Sequence, residues 1–339
     1  MSKIFKTLTV ALIAFVFSFL GYTLTHASLP SSGSPIKLYA TETHHDLQIT
    51  FTQAIEEAKT SIHLMIYSLR DKKVINSLRR AAGRGVDIQI ICDRNASSHL
   101  ASKIGKNVHV FYHNDKGLMH QKILIVDQHT ILCGSANLTT ASLKMHGNLV
   151  TGIYSPKLAA HLLIKFNTMK KEGRVEKAPQ FNTVINGQNL EFWFLPDHPE
   201  GVEKIKQLIR SAEKSIRIAM FTWTRYDLAD AVIAAKKRGV HVEVVLDRNA
   251  SSGVSKRIAE KLLKGGIPVK VNQGPELLHH KFLLIDHQTL LNGSANWTKA
   301  AFTINDDFFM IITPLKPSQQ KVLEEMWDEI LLHSTNLSV

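Results

Sequence analysis

One short pattern occurs twice in this chain and limits what it can fold into. His120-Gln121-Lys122 is followed by four apolar residues and Asp127, then after six more residues by Gly134-Ser135-Ala136-Asn137. His279-His280-Lys281 is followed in the same way by four apolar residues and Asp286, then after six more by Gly293-Ser294-Ala295-Asn296. Histidine, lysine, aspartate, serine and asparagine at identical offsets in two copies exceed coincidence, so the chain must hold two similar units.

Each copy has a physical reading. The apolar runs 122–127 and 281–286 suit strands of a sheet covered on both faces. Residues two apart on a strand point to the same side, so each histidine shares a face with its lysine. Second short strands are expected at 130–133 and 289–292. The Gly-Ser-x-Asn after them reads as a tight turn: glycine lets backbones approach, while the hydroxyl and amide supply neutral hydrogen-bond donors. Doubled, the pattern makes a cradle for a tetrahedral oxyanion, with phosphate the obvious candidate.

The repeat extends upstream. Residues 61–98 align with 215–252 without a gap, each ending Asp-Arg-Asn-Ala-Ser-Ser. Strands are expected at 61–67 and 215–221, amphipathic helices at 74–81 and 228–235, and strands again at 87–92 and 241–246. Earlier helices are expected at 51–58 and 202–212, and Gly85 and Gly239 close the middle ones. Alternating strands and helices predict an α/β fold: two similar sandwich halves with mixed, mostly parallel sheets. A single His-Lys pair supplies either a nucleophile or an acid. The halves, 28–170 and 202–339, are therefore expected to face each other about a pseudo-twofold axis with one site at their interface. Pro179, Asn186-Gly187 and Pro196 mark 171–201 as the connection. The repeated Asp93–Ser98 and Asp247–Ser252 loops follow strand ends, where they either line the cleft or form capped turns.

The doubled His-x-Lys-x4-Asp-x6-Gly-Ser-x-Asn element resembles the signature of the phospholipase D superfamily, and the resemblance covers nearly everything after the N-terminal segment. It implies cleavage of a phosphodiester in two steps. One histidine attacks phosphorus to give a phosphohistidine; the other protonates the departing alcohol and then activates water. Family precedent makes His120 the nucleophile and His279 the acid, although the residues themselves do not rank them. Lys122, Lys281, Asn137 and Asn296 are expected to bind the phosphate, assisted by Ser135 and Ser294. This positive cradle calls for no metal and no cofactor. Asp127 and Asp286 take either a catalytic role or a structural one at the strand ends. The family also places a carboxylate downstream of each histidine to orient an imidazole. That position is Asp307 in the second half but Asn148 in the first, so only one imidazole gains a carboxylate partner.

Composition bounds the partners. The chain has 339 residues, 44% apolar and 21% charged, with a net charge of +12, which favours anionic partners. The expected substrate is a phospholipid head-group phosphodiester. The alternatives are nucleic acid cut by an endonuclease of the same superfamily, and phosphatidyl transfer by a phospholipid synthase. Membrane association is expected, with no obligate protein partner and a monomeric state. Cys92 and Cys133 each close an apolar run, as small buried thiols do, and one bond between them stays open. His109 and His113 lie too far apart along a strand, roughly 13 Å, to share a metal ion. Lys3 and Lys6 precede an apolar stretch from 7 to 25, so residues 1–27 read as a signal peptide or membrane anchor of an exported protein.

Overall fold

Alternation along the central strands decides how the layers stack. The computed structural model describes residues 27–43, 45–113, 116–170 and 177–337. In β5 (Lys122–Val126), Ile123 and Ile125 enter a core shared by both halves, whereas Leu124 and Val126 enter a core of the first half alone. In β13 (Lys281–Ile285), Phe282 and Leu284 enter the shared core, and Leu283 and Ile285 the core of the second half. Two sheets covered on both faces are thus joined through one continuous interior, as period-two burial requires.

The first sheet has the order β1-β7-β6-β5-β2-β3-β4. It combines β5 with β1 (Lys37–Ala40), β2 (Ser61–Ile66), β3 (Asp87–Asp93), β4 (Val108–His113), β6 (Thr130–Gly134) and β7 (Leu149–Tyr154). The second sheet contains β8 (Phe181–Ile185), β9 (Gln188–Leu195), β10 (Ser215–Met220), β11 (His241–Leu246) and β12 (Val269–Asn272). It is completed by β13, β14 (Thr289–Gly293), β15 (Asp307–Thr313) and β16 (Ser334–Asn336), and runs β16-β12-β11-β10-β13-β14-β15-β9-β8. Read from its other end, this is the order of the first sheet with β9 in the place of β1 and one extra strand at each edge.

The mixed α/β architecture in two similar halves is as expected, but the balance of directions is not. Among the strand pairs of the described residues, β2–β3, β3–β4, β10–β11 and β11–β12 are parallel and the others antiparallel. Helical crossovers produce the parallel pairs; short turns such as Asp127-Gln128-His129 between β5 and β6 produce antiparallel ones. A second correction concerns 171–201. Besides linking the halves, it holds the β8–β9 hairpin, which turns at Asn186-Gly187 with both φ positive (49° and 75°) and pairs with β15.

The helices obey local rules. Helix Lys72–Gly83 starts on Asp71, whose carboxylate accepts from the amides of Lys73 and Val74, and it buries Val74, Ile75, Leu78 and Ala81. Gly85 follows it at φ 88° and Gly239 follows the equivalent helix Tyr226–Lys237 at φ 95°, conformations that cost a β-carbon. Cys92 and Cys133 are buried free thiols. No helix among the described residues is long and apolar enough to cross a membrane. The N-terminal address was read over residues 1–27, and all of it but Ala27 lies outside the described residues.

Candidate active site

Both histidines end at the interface because each preceding segment is clamped twice. Asp93, at the end of β3, accepts from the amides of Asn95 and Ala96 through Oδ1 and from the Met119 amide through Oδ2 (3.3 Å). Asp247 does the same with the amides of Ala250 and Leu278 (3.1 Å). The same segments pair across the interface. The His120 amide donates to the Asp306 carbonyl (2.8 Å), the Asp306 amide to the Leu118 carbonyl (2.8 Å), and the Gly147 amide to the Leu277 carbonyl (2.8 Å). The repeated Asp-Arg-Asn-Ala-Ser-Ser loops are therefore capped turns whose aspartate holds the residue before each histidine.

Behind each imidazole stands a residue of the other half. His120 Nδ1 lies 2.7 Å from Asp307 Oδ1, which also accepts from the Ser294 hydroxyl (2.6 Å). His279 Nδ1 lies 3.0 Å from Asn148 Oδ1, which accepts from the Ser135 hydroxyl (2.8 Å). The two serines in turn accept from the amides of Phe308 and Leu149 (both 3.1 Å). Ser135 and Ser294, expected to assist in binding phosphate, are fully buried and brace the orienting groups. Gly134 and Gly293 permit this packing. A β-carbon would lie 2.2 Å from the Leu149 carbonyl oxygen at one and 2.4 Å from that of Phe308 at the other.

The lysines are buried beside the histidines. Lys122 Nζ donates to the His120 carbonyl (2.5 Å) and Lys281 Nζ to the His279 carbonyl (2.7 Å). Burial pushes the Lys122 ammonium down to about 7, against the opposing pull of Asp307 and Asp93. Burial, then the charge of Lys122, pushes Lys281 well below the ordinary lysine range. An interior short of negative charge disfavours both cations, and an incoming phosphate would supply what is missing. Asn137 and Asn296 stand at the partly exposed edge of the same turns, their side-chain oxygens buried without a hydrogen-bond partner.

Asp127 and Asp286 are not brought to this site. They follow the far ends of β5 and β13, at φ 49° and 50°. Asp127 accepts from the amides of Lys59, Thr60 and Ser61 at 2.7–2.9 Å, and Asp286 from those of Glu213, Lys214 and Ser215 at 2.7–3.0 Å. Each fixes the chain entering β2 or β10, so of their two expected roles the structure shows the structural one.

Two features escaped the sequence. Tyr67 and Phe221, at equivalent positions after β2 and β10, set their rings 5.2 and 5.0 Å from His120 and His279, and 5.2 and 4.8 Å from the ammonium groups of Lys122 and Lys281. The strand alignment puts them in register with the motifs, which was the available signal. A buried cluster also stands behind Asp306: Lys165 lies 2.7 Å from Asp197 and 3.3 Å from Asp306, and His113 lies 3.2 Å from Asp306. No local pattern announces it. Of the apolar residues beside the motifs, Met119, Leu278 and Trp297 are buried, whereas Leu118 is exposed near the interface with other apolar side chains. Leu118 (41% exposed) lies beside Ile304 (50%), and Met145 (56%) lies beside the Leu277 segment.

Residues 51–170 and 205–330 match the family model described as "Cardiolipin synthase, PLD-like domain". Among curated proteins, a mitochondrial cardiolipin hydrolase of Chlamydomonas reinhardtii is 31% identical over 132 residues, covering 38% of this chain and 59% of that one. A phospholipase D of Rickettsia typhi is 28% identical over 127 residues, covering 36% and 62%. The chain thus spans less than two thirds of the length of these relatives. The crystal structure of a phosphatidylserine synthase from Haemophilus influenzae Rd KW20 superposes with a TM-score of 0.72 at 15% identity, over 91% of this chain and 89% of that one, which shows the shared fold. With both of its motifs inside the matched residues, the chain belongs to the phospholipase D superfamily.

Proposed function

We propose that the protein is a phosphodiesterase that hydrolyses phospholipid head-group esters through a phosphohistidine, as an exported or membrane-anchored enzyme. The observation that carries the reading is the exchange of orienting groups, with Asp307 behind His120 and Asn148 behind His279. It supports one shared centre, in which the imidazoles of both halves and the two buried lysines are close enough to act on one another. In-line displacement at phosphorus needs a nucleophile and a proton donor on opposite sides, with positive charge around the equatorial oxygens. His120 and His279 supply the first two; Lys122, Lys281 and the amides of Asn137 and Asn296 supply the third.

The choice of lipid rests on the rim. Leu118, Ile304 and Met145 are exposed apolar residues contributed by both halves, and the exposed cations Lys116 and Lys299 lie two and five residues before Leu118 and Ile304 in the sequence. Apolar tips between cations suit an anionic lipid surface. Relatives named cardiolipin hydrolase and phospholipase D agree with that choice. The test offers the full chain labelled phosphatidylcholine, cardiolipin and single-stranded DNA in parallel. Release of head group or phosphatidic acid is the expected result. Nicking of DNA without lipid turnover would transfer the assignment to an endonuclease, and appearance of a new phospholipid on adding an alcohol would mark phosphatidyl transfer.

A further inference from the structure

Resting on the reading of the site as a phosphodiester-cleaving centre, we infer that Lys165 is a positioning residue for His120. It acts through Asp306: by pinning that side chain it seats the start of β15, and with it the Asp307 carboxylate that meets His120. The buried cluster of Lys165, Asp197, Asp306 and His113 thus aligns one imidazole of the pair.

Three parts of the chain converge on the Asp306 side chain. Lys165 lies in the helix Pro156–Lys170 of the first half, fully buried. Its ammonium donates to Asp197 (2.7 Å), in the connection, and lies 3.3 Å from Asp306 Oδ1, in the second half. Asp197 is itself held by the Ala178 amide (3.0 Å), and Asp306 Oδ2 meets His113 Nε2 at 3.2 Å. The main chain of Asp306 is held as well. Its carbonyl accepts from the His120 amide and its amide donates to the Leu118 carbonyl, both at 2.8 Å. Neighbours on an extended chain point opposite ways, so Asp306 reaches into the cluster while Asp307 reaches His120. Moving one moves the other.

The other half does without such a cluster. The spacing that carries His279 back onto His120 carries Asp306 onto Gly147. Asn272 stands where His113 does, since Cys92 pairs with Tyr112 and its repeat mate Leu246 with Val271. Met326 stands where Lys165 does, each nine residues (165 − 156 and 326 − 317) after the proline that opens its helix. Yet the segment docks: the Gly147 amide donates to the Leu277 carbonyl at 2.8 Å. Docking alone therefore requires no buried charge. Buried ions seldom gain in stability what they lose in solvation, and their better attested use is to fix one arrangement. Here the need lies with Asp307. Asn148 secures itself, donating from Nδ2 to the carbonyls of Ser142 (2.8 Å) and His146 (3.1 Å). A carboxylate has no hydrogens to donate, so the placing of Asp307 falls to its main chain and hence to Asp306.

Lys165→Met takes from Asp197 and Asp306 the cation they share. The groups that hold phosphate stay in place, so KM should remain within about threefold while kcat falls about 10²-fold, the effect of a displacement of about 1 Å at a reacting group. Asp306→Asn is isosteric and keeps an oxygen for Lys165, but without the charge that holds the ammonium close; kcat should fall about tenfold.

Two measurements on the full chain separate positioning from folding. The first is additivity of kcat on a p-nitrophenyl phosphodiester. In an Asp307→Asn background Lys165→Met should cost less than about twofold more, whereas in an Asn148→Ala background its full cost should return. The second is proton NMR of the imidazole Nδ1 hydrogens, each identified by its loss in His120→Ala or His279→Ala. In Lys165→Met and in Asp306→Asn the His120 signal should move and the His279 signal stay. Folded Asp306→Asn with wild-type kcat, or with an unmoved His120 signal, overturns the positioning role even where Lys165→Met fails to fold. So does a cost of Lys165→Met that adds in full to that of Asp307→Asn, and so do signals that move alike at both histidines. A wild type inert towards every phosphodiester removes the phosphodiesterase reading, and the NMR comparison then decides the positioning role by itself.

Discussion

Asn148 and Asp307 stand at the same point of the two halves, and each accepts from the imidazole of the opposite half, at 3.0 and 2.7 Å. Neither half can orient its own histidine, so the site exists only when the halves are docked. Replacing the carboxylate by its isosteric amide tests what the charge does. In Asp307→Asn the amide oxygen can still accept from Ser294 and His120, so the melting temperature should change little. The anion that orients His120 and opposes the lowering of its pKa by burial and Lys122 is lost, and kcat should fall about 10²- to 10⁴-fold, the usual worth of a positioned proton-transfer group. Unchanged turnover would remove Asp307 from the mechanism.

The buried lysines trade stability for binding. Lys122 is held at about 7 by burial, against an ordinary value of 10.5. Between those values the unfolded chain binds a proton that the native state does not, so stability attributable to this residue rises with pH across the window. Below about pH 7 the native state carries the full penalty of the buried charge, on the order of a few kcal/mol. Lys122→Met fills the same space without it. Calorimetry should find the variant more stable at pH 7, with the gain shrinking towards pH 10, and phosphodiesterase activity abolished. A destabilised variant at pH 7 would show that the lysine's packing and hydrogen bond outweigh its desolvation.

Period-two alternation and the gapless repeat were enough to place the strands around both motifs, because local burial patterns register two covered faces directly. What escaped needed three dimensions. The sheets are largely antiparallel because β5 and β13 run against β2 and β10 and each opens a run of antiparallel neighbours, whether a turn or a short helix joins them. Asp93 reads as a turn residue, yet its second oxygen holds the Met119 amide, a contact 26 residues away that no spacing rule encodes. Ser135 and Ser294 read as phosphate donors because the motif presents them beside the asparagines; their burial against Asn148 and Asp307 became visible only once β7 and β15 were in place. The hairpin at Asn186-Gly187 was legible from its Asn-Gly turn between alternating strands, and the prolines around it obscured that signal.

Asp127 separates architecture from chemistry. Its carboxylate takes three backbone amides and the Thr60 hydroxyl. Burial alone would raise its pKa, but these donors outweigh burial and hold it below the ordinary carboxylate range. A depressed carboxylate contributes stability above its unfolded value and loses it as pH falls through the folded one. Asp127→Ala should lower stability by about 1–2 kcal/mol, the worth of a lost backbone-capping carboxylate whose amides water can partly reach. The folded fraction should keep kcat within about twofold, as the residue stands at the end of β5 remote from Lys122. A loss of kcat beyond tenfold in folded protein would restore a catalytic role.

The rim offers a test of the lipid reading that leaves the chemistry untouched. Leu118 and Ile304 are exposed neighbours from opposite halves, linked where the Leu118 amide donates to the Asn305 side chain. Sinking two such side chains into a bilayer is worth about 1.5–3 kcal/mol each, and two carboxylates in their place would add repulsion from anionic head groups. Leu118→Asp combined with Ile304→Asp should therefore cut hydrolysis of anionic vesicles at least tenfold. Hydrolysis of a monomeric short-chain phospholipid should continue at the wild-type rate, because neither residue touches the imidazoles or lysines. Raised salt should narrow the difference on vesicles by screening the head groups from the new carboxylates. Equal loss on both substrates would mean that the substitutions had disturbed the interface between the halves, and no loss on either would remove the rim as the surface that meets the membrane.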